Sequence, residues 1–166
     1  MKLILFKMML FSMLVIRPAF SQEVGKNAPP FVATTLEGEK IDLNDYKGKP
    51  VILDFWASWC APCLKEMPFL MELQEKYDKT KLSIIAVNLD NDKKNAHKFL
   101  AKLNKPVPFP VVFDDDKALA KLYQPAAMPT TVFIDAEGKV QYRHKGFKES
   151  DKPEFIAEVE KILNTK

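Results

Sequence analysis

The sequence predicts an α/β sandwich, a mixed central sheet flanked by helices. Three observations predict it. Val51-Ile52-Leu53-Asp54-Phe55-Trp56 and the segment Leu82 to Leu89 are strongly apolar and do not alternate with polar residues, as expected of strands covered on both faces. Segments of helical periodicity separate the strands, which implies a parallel portion of the sheet. Thr130 to Ile134 and Lys139 to Tyr142 flank Asp135-Ala136-Glu137-Gly138, a hairpin that adds an antiparallel edge. The 166 residues suit a single domain with a sizeable core.

The chain begins with a segment that reads as a secretory signal. Lys2 and Lys7 form a basic start, Met8 to Ile16 is apolar, and Ala19-Phe20-Ser21 is a small-residue cleavage pattern. The apolar stretch is nine residues, far short of the roughly 20 that span a bilayer. The predicted division is a signal peptide over 1–21 and one domain over 22–166. An uncleaved anchor from Leu3 would have to carry Lys7 into the membrane. Both readings place the domain outside the cytoplasm, in the periplasm or its equivalent.

Gln22 to Pro30 lacks periodicity and reads as an exposed arm. Phe31–Thr34 and Lys40–Asp42 form a short hairpin with Gly38 in its turn, and Leu43 to Gly48 is a polar connector with room for one helical turn. After the strand Val51–Trp56, the pattern from Cys60 to Asp78 is helical. Cys63, Met67, Leu70, Leu73 and Tyr77 recur at three- and four-residue steps, and Pro68 interrupts them. Asp92 to Leu103 reads as a solvent-facing, Lys-rich helix, and Val111-Val112-Phe113 as a short strand. Asp114-Asp115-Asp116 opens a helix that runs to about Tyr123, with its acids at the favourable end. The last helix starts near Asp151, which is set for a capping box with Glu154, and Pro153 fits its first turn.

The formal charge of +3 comes from the first segment. Without Lys2, Lys7 and Arg17, 22 basic residues face 22 acidic ones, so the domain lacks the basic excess of a nucleic-acid binder. The two cysteines of the chain are Cys60 and Cys63. Two lone cysteines this close make a poor structural staple, because the loop they close is too short to constrain the unfolded chain. A thiol at the first turn of a helix, by contrast, is stabilised as the thiolate, the form that attacks disulfides. Cys60 is the candidate nucleophile and Cys63, one turn deeper, the resolving thiol. A zinc site would need His97 and His144 as partners, and neither has finger-like spacing from the cysteines. Both histidines read as surface residues.

Asp54 interrupts an apolar strand six residues before Cys60. An unpaired buried carboxylate is costly, so its pKa should rise. That suits a proton acceptor for Cys63, although a carboxylate simply tolerated by backbone or Lys partners fits the position too. Glu66 lies three residues past Cys63 on nearly the same helix face. By position alone it reads as an exposed acid in the first helical turns, where the helix dipole stabilises it. Trp59 is a candidate contact surface for a partner chain. Pro129, if cis, would leave the backbone of Met128 open to a substrate strand.

Asp54-Phe55-Trp56-Ala57-Ser58-Trp59-Cys60-Ala61-Pro62-Cys63 resembles the active-site segment of the thioredoxin superfamily. Pro68 matches that family's helix proline, and Met128-Pro129-Thr130-Thr131 resembles its cis-proline segment. With the N-terminal hairpin and the extra helix Asp92–Leu103, the chain is similar to the extracytoplasmic TlpA/ResA branch over most of Pro30 to Leu163. The resemblance implies a thioredoxin fold with an N-terminal β-hairpin and a central helix insertion, and a catalytic set of Cys60, Cys63, Asp54 and Glu66, with Glu66 near the dithiol and tuning it. It implies substrate contacts at Trp59, Met128 and Pro129, no cofactor and no metal. Pro125 and Ala127 stand where the family usually carries an aliphatic residue and a glycine. Thr130 stands where cytochrome c maturation reductases of the CcmG kind carry an acid, which argues against a dedicated apocytochrome role. No proline precedes Cys60 in the pattern a peroxiredoxin requires.

The expected function is thiol–disulfide exchange on exported proteins, in the reducing direction, because neither Ala61 nor Pro62 is basic. A membrane thiol transporter of the DsbD/CcdA kind would supply electrons to a monomeric domain that binds no nucleic acid. The competing readings are a dithiol oxidase or isomerase, and a metal-binding chaperone using the same cysteines.

Overall fold

The computed structural model describes residues 24–165, so the signal-peptide reading of 1–21 lies outside the described residues. The chain runs through β1 (Val32–Thr34), β2 (Lys40–Asp42), β3 (Val51–Trp56), α1 (Cys63–Lys76), β4 (Ser83–Asn88) and α2 (Lys93–Leu100). It continues through β5 (Val111–Phe113), α3 (Ala118–Tyr123), β6 (Thr130–Ile134), β7 (Val140–Lys145) and α4 (Lys152–Asn164). The central sheet has the order β5-β4-β3-β6-β7. β3 pairs with β4 in parallel, and β4 with β5. β6 and β7 run antiparallel to their neighbours. The expected mixed sheet is therefore present, with β3 at its centre.

Every residue of β3 and β4 is buried, because both faces of the sheet are covered. Val51, Leu53 and Phe55 join a cluster with Phe31, Ile41, Leu119 and Tyr123, under the N-terminal hairpin and α3. Ile52 and Trp56 join the opposite cluster with Leu70, Phe99 and Phe155, under α1, α2 and α4. Side chains alternate between the two faces along a strand. Asp54 therefore lies on the second face, beneath α1 and α4.

The hairpin β1–β2 is antiparallel, and Gly38 occupies its turn at a φ of +92°, a conformation that favours glycine. Leu36 N donates to Val111 O at 2.8 Å, which ties the hairpin to the sheet edge. The connector after β2 is a single 3-10 turn, Leu43–Tyr46.

Several expectations are corrected. The segment before Phe31 is no free arm. Gly25 N donates to Val140 O, Val140 N to Lys26 O and Ala28 N to Gly138 O, while the Tyr123 hydroxyl donates to Pro29 O at 2.6 Å. Backbone pairing of this kind needs no side-chain pattern, so periodicity does not show it. α1 begins at Cys63 rather than Cys60, since the chain makes a separate turn before entering the helix. Asp151 does not cap α4 in a box with Glu154. A 3-10 turn, Glu149–Asp151, precedes α4, and Asp151 accepts from Lys148 N and faces His144. Glu154 accepts instead from the Tyr142 hydroxyl. His97 is exposed as expected, but His144 is not a surface residue: its ring packs on Phe155 at 4.8 Å. Among the described residues no helix is long and apolar enough to cross a membrane.

Candidate active site

β3 ends at Trp56, and the chain turns through residues 57–62 before α1. Cys60 N donates to Ala57 O at 3.1 Å inside this turn. Asp90, just past β4, clamps it from the side. Its carboxylate accepts from Ser58 N at 3.1 and 3.2 Å and from Ser58 Oγ at 2.9 Å. Asn88 Nδ2 donates to Asp90 at 2.9 Å, and Asp90 N returns a bond to Asn88 Oδ1. Lys117 Nζ donates to the carbonyls of Asp90 and Asp114. The Asp114 carboxylate in turn accepts from Leu119 N and Ala120 N at the start of α3. A buried, satisfied network of this kind fixes geometry, and here it fixes the approach to Cys60.

Cys60 and Cys63 are joined as a disulfide. Cys60 is 4% exposed and Cys63 1%. Pro62 is the N-cap of α1 and offers no side-chain cap. The first N–H groups of a helix need outside acceptors. One of them, Cys63 N, donates to Cys60 Sγ at 3.2 Å, so the sulfur stands where a capping oxygen would. That places Cys60 at the positive end of the helix, where a thiolate is stabilised.

Two acids are buried on the α1 side of β3, Asp54 on the strand and Glu66 three residues past Cys63 on the helix. Asp54 and Glu66 are each 1% exposed, so Glu66 is buried and not an exposed acid of the first turn. Thr131 of β6 stands opposite Asp54 of β3 in the sheet register. Its hydroxyl donates to Glu66 Oε1 at 2.8 Å and lies 3.4 Å from Asp54 Oδ1. Glu66 Oε2 has no hydrogen-bond partner among the described residues. Burial pushes the Asp54 carboxyl up to about 7, partly offset by the Thr131 hydroxyl. Burial first, and then the charges of Asp54 and Asp151, hold Glu66 well above the usual carboxylate range. The expected rise at Asp54 is present, and a second acid shares the site.

Trp59 is 68% exposed beside Cys60. The Met128–Pro129 peptide is cis. β6 begins at Thr130, opposite Phe55 near the end of β3, so Met128 and Pro129 run alongside the turn that carries Cys60. Met128 packs partly buried against the cluster that holds both cysteines. Pro129 O accepts from Gly146 N, while no hydrogen bond engages the Met128 N–H or C=O within the described residues. All seven predicted site residues thus gather at one end of the sheet.

Asp90, Asn88, Thr131 and His144 were not among the residues predicted for the site. Asp90 meets Ser58 across 32 positions, and no spacing rule links them. The apolar run leading to the polar turn at Leu89-Asp90-Asn91 was the available signal. Among the described residues no group of three or more His, Cys, Asp or Glu side chains is placed to hold a metal ion.

The Redoxin family model matches residues 23–162. The chain is similar to the thiol-disulfide oxidoreductase ResA of Bacillus thuringiensis subsp. konkukian, with 44% identity over 124 residues, 75% of this chain and 70% of that protein. It is 42% identical to ResA of Geobacillus thermodenitrificans over 118 residues, 71% of this chain and 67% of that one. Among solved structures, a Chlorobium tepidum protein assigned as the thiol:disulfide interchange protein DsbE superposes with a TM-score of 0.81 at 38% identity. That match covers 87% of this chain and 100% of the other. The chain therefore belongs to the Redoxin family and is a thioredoxin-like thiol–disulfide oxidoreductase with a Cys-x-x-Cys pair.

Proposed function

We propose that the protein reduces disulfides in exported proteins, with Cys60 as the attacking thiolate and Cys63 as the resolving thiol. The observation that carries this assignment is the Cys63 N–H directed at Cys60 Sγ. It supports Cys60, rather than Cys63, as the sulfur that the helix end stabilises as an anion.

The chemistry proceeds in two exchanges. The Cys60 thiolate attacks a substrate disulfide, forms a mixed disulfide and expels one substrate thiolate. Cys63 then gives its proton to Asp54 and attacks the Cys60 sulfur. The Cys60–Cys63 bond forms, and the second substrate thiolate leaves. Two electrons have passed to the substrate. An external dithiol, from a membrane thiol transporter of the DsbD/CcdA kind, restores the pair.

The burial of Asp54 supports its role, because a carboxyl brought near neutral pH is matched to accepting a thiol proton. Glu66 tunes the same proton through Thr131. Trp59 offers a contact face, and the free Met128 backbone offers a short strand pairing to the substrate beside Cys60. The reducing direction rests on Ala61 and Pro62, which add no positive charge between the cysteines. The extracytoplasmic location rests on the sequence of 1–21.

Insulin reduction tests the assignment, and Cys60→Ser must abolish it. Equilibration with glutathione tests the direction. A potential near the roughly −270 mV of thioredoxin supports a reductant, and one near about −120 mV makes the protein an oxidase.

A further inference from the structure

The segment between β5 and α3 carries an ammonium group to the turn that holds Cys60. Lys117 sits at φ +58° and ψ +27°, in the left-handed region that residues with a Cβ seldom enter. Such a backbone persists where the surrounding contacts over-determine it, and it is a reason to look for a role. Glycine adopts the same conformation freely, so what lysine adds at this position is its side chain.

That side chain reaches two backbone carbonyls. Its Nζ donates to Asp90 O at 2.7 Å and to Asp114 O at 2.8 Å, and it stands 5.7 Å from the centre of the Phe113 ring. The first bond joins the start of α3 to the chain after β4 across 27 positions. Each end is anchored. Asp114 N donates to Asn88 O at 3.1 Å, and the Asp114 carboxylate accepts from Leu119 N and Ala120 N. The Asp90 carboxylate accepts from Ser58 N and Ser58 Oγ, and Leu89 N donates to Trp56 O at 2.8 Å. Cys60 follows Ser58 by two residues, its N–H closes the turn on Ala57 O, and Cys63 N points at its sulfur. Every link from the ammonium to the sulfur is thus a hydrogen bond or a stretch of adjoining backbone. A hydrogen bond from an ionised donor is about twice as strong as a neutral one, so the ammonium pins the Asp90 backbone more firmly than a neutral donor does.

We propose that Lys117 is a positioning residue for Cys60. Its ammonium fixes the Asp90 backbone, Asp90 fixes the turn through Ser58, and the turn holds the Cys60 sulfur on the Cys63 N–H. This rests on the reading of Cys60 as the thiolate that the helix end stabilises. Without the ammonium, Asp90 and Ser58 gain freedom, the sulfur spends less time on the Cys63 N–H, and the thiolate loses part of its stabilisation.

The pH midpoint of Cys60 alkylation, read in the Cys63→Ala background of the full chain, tests this. Lys117→Gly removes the ammonium and suits the left-handed backbone. The midpoint is expected to rise by about one pH unit, which is about a tenfold loss of thiolate below it. Lys117→Ala removes the ammonium as well but keeps a Cβ in the left-handed backbone. Its thermal midpoint is expected to fall below that of Lys117→Gly, while its alkylation midpoint matches, since the thiol follows the ammonium and not the strain. The rise is expected to persist in about 1 M salt, where a bare charge effect is screened within about 3 Å. In an Asp90→Ala background the turn is already free, so Lys117→Gly is expected to add less than about a twofold change in thiolate. An unshifted midpoint in Lys117→Gly overturns the proposal. So does a shift that disappears in salt, one that tracks the thermal midpoint, or one that is undiminished in Asp90→Ala. A midpoint near the roughly 8.5 of an ordinary cysteine in Cys63→Ala itself removes the activated-thiolate reading first, and the proposal with it.

Discussion

Thr131 donates its hydroxyl to Glu66 Oε1 at 2.8 Å across 65 positions of sequence. The bond joins β6 of the central sheet to the first turn of α1, three residues past Cys63. It satisfies one oxygen of a carboxyl that has no other hydrogen-bond partner among the described residues. Thr131→Val removes the donor and keeps the shape. A stability loss of about 1–3 kcal/mol is expected, the cost of leaving a buried polar group unpaired. The hydroxyl also lowers the proton affinity of both acids, so its removal moves both titrations upward. Chemical denaturation measures the first effect, and carboxyl NMR against pH the second.

Asp54→Asn is expected to stabilise the fold at neutral pH. An aspartate in the unfolded chain titrates near 3.9, whereas burial pushes Asp54 up to about 7. Between those values the unfolded chain releases the proton and the folded chain keeps it. The contribution of Asp54 to stability is thus most favourable below about pH 4 and is lost progressively as pH rises to about 7. Asparagine removes that loss, bounded by about 1.4 kcal/mol per pH unit of separation. Thermal melts are expected to show a gain at pH 8 that shrinks towards pH 4.

Asp90→Ala is expected to act on the thiol without touching it. The carboxylate accepts from Ser58 N, Ser58 Oγ and Asn88 Nδ2. Its loss leaves buried donors unpaired, at a cost of about 1–3 kcal/mol each at most, and frees the turn that sets Cys60 against α1. Denaturation midpoints are expected to fall, together with the rate of Cys60 alkylation in the Cys63→Ala background.

Trp59→Ala is expected to separate binding from folding. At 68% exposure the side chain contributes little to the core, and stability should change by no more than about 0.5 kcal/mol. The KM for a protein disulfide is expected to rise, while the rate with a small aromatic disulfide stays close to wild type. Steady-state kinetics with both substrates checks this.

Much of the fold is legible in the sequence because the strands at its centre are buried on both faces. Val51–Trp56 appears as an apolar run for that reason, and its bounds agree with β3. The positions of Cys60 and Cys63 follow from the change of period at the end of that strand. Asp54 is legible as a charge where the pattern demands an apolar residue. Glu66 is not resolved in this way: as the fourth residue of a helix it reads equally well as solvent-facing, and Thr131, which holds it inside, looks like one more β-branched strand residue. Asp90 and His144 depend on strand order and register, which local pattern does not encode. Asp151 illustrates the competing pull of tertiary contacts, since its side chain turns to Lys148 N and His144 instead of capping α4.

The most direct test of the two-cysteine mechanism is trapping on the single-cysteine variants. Cys63→Ala, mixed with a disulfide-containing protein such as insulin, is expected to form a stable one-to-one mixed disulfide through Cys60, visible by non-reducing electrophoresis and mass spectrometry. Cys60→Ala is expected to form none at the same rate. A mixed disulfide that forms faster through Cys63 in Cys60→Ala would contradict the assignment of Cys60 as the thiol the helix end activates.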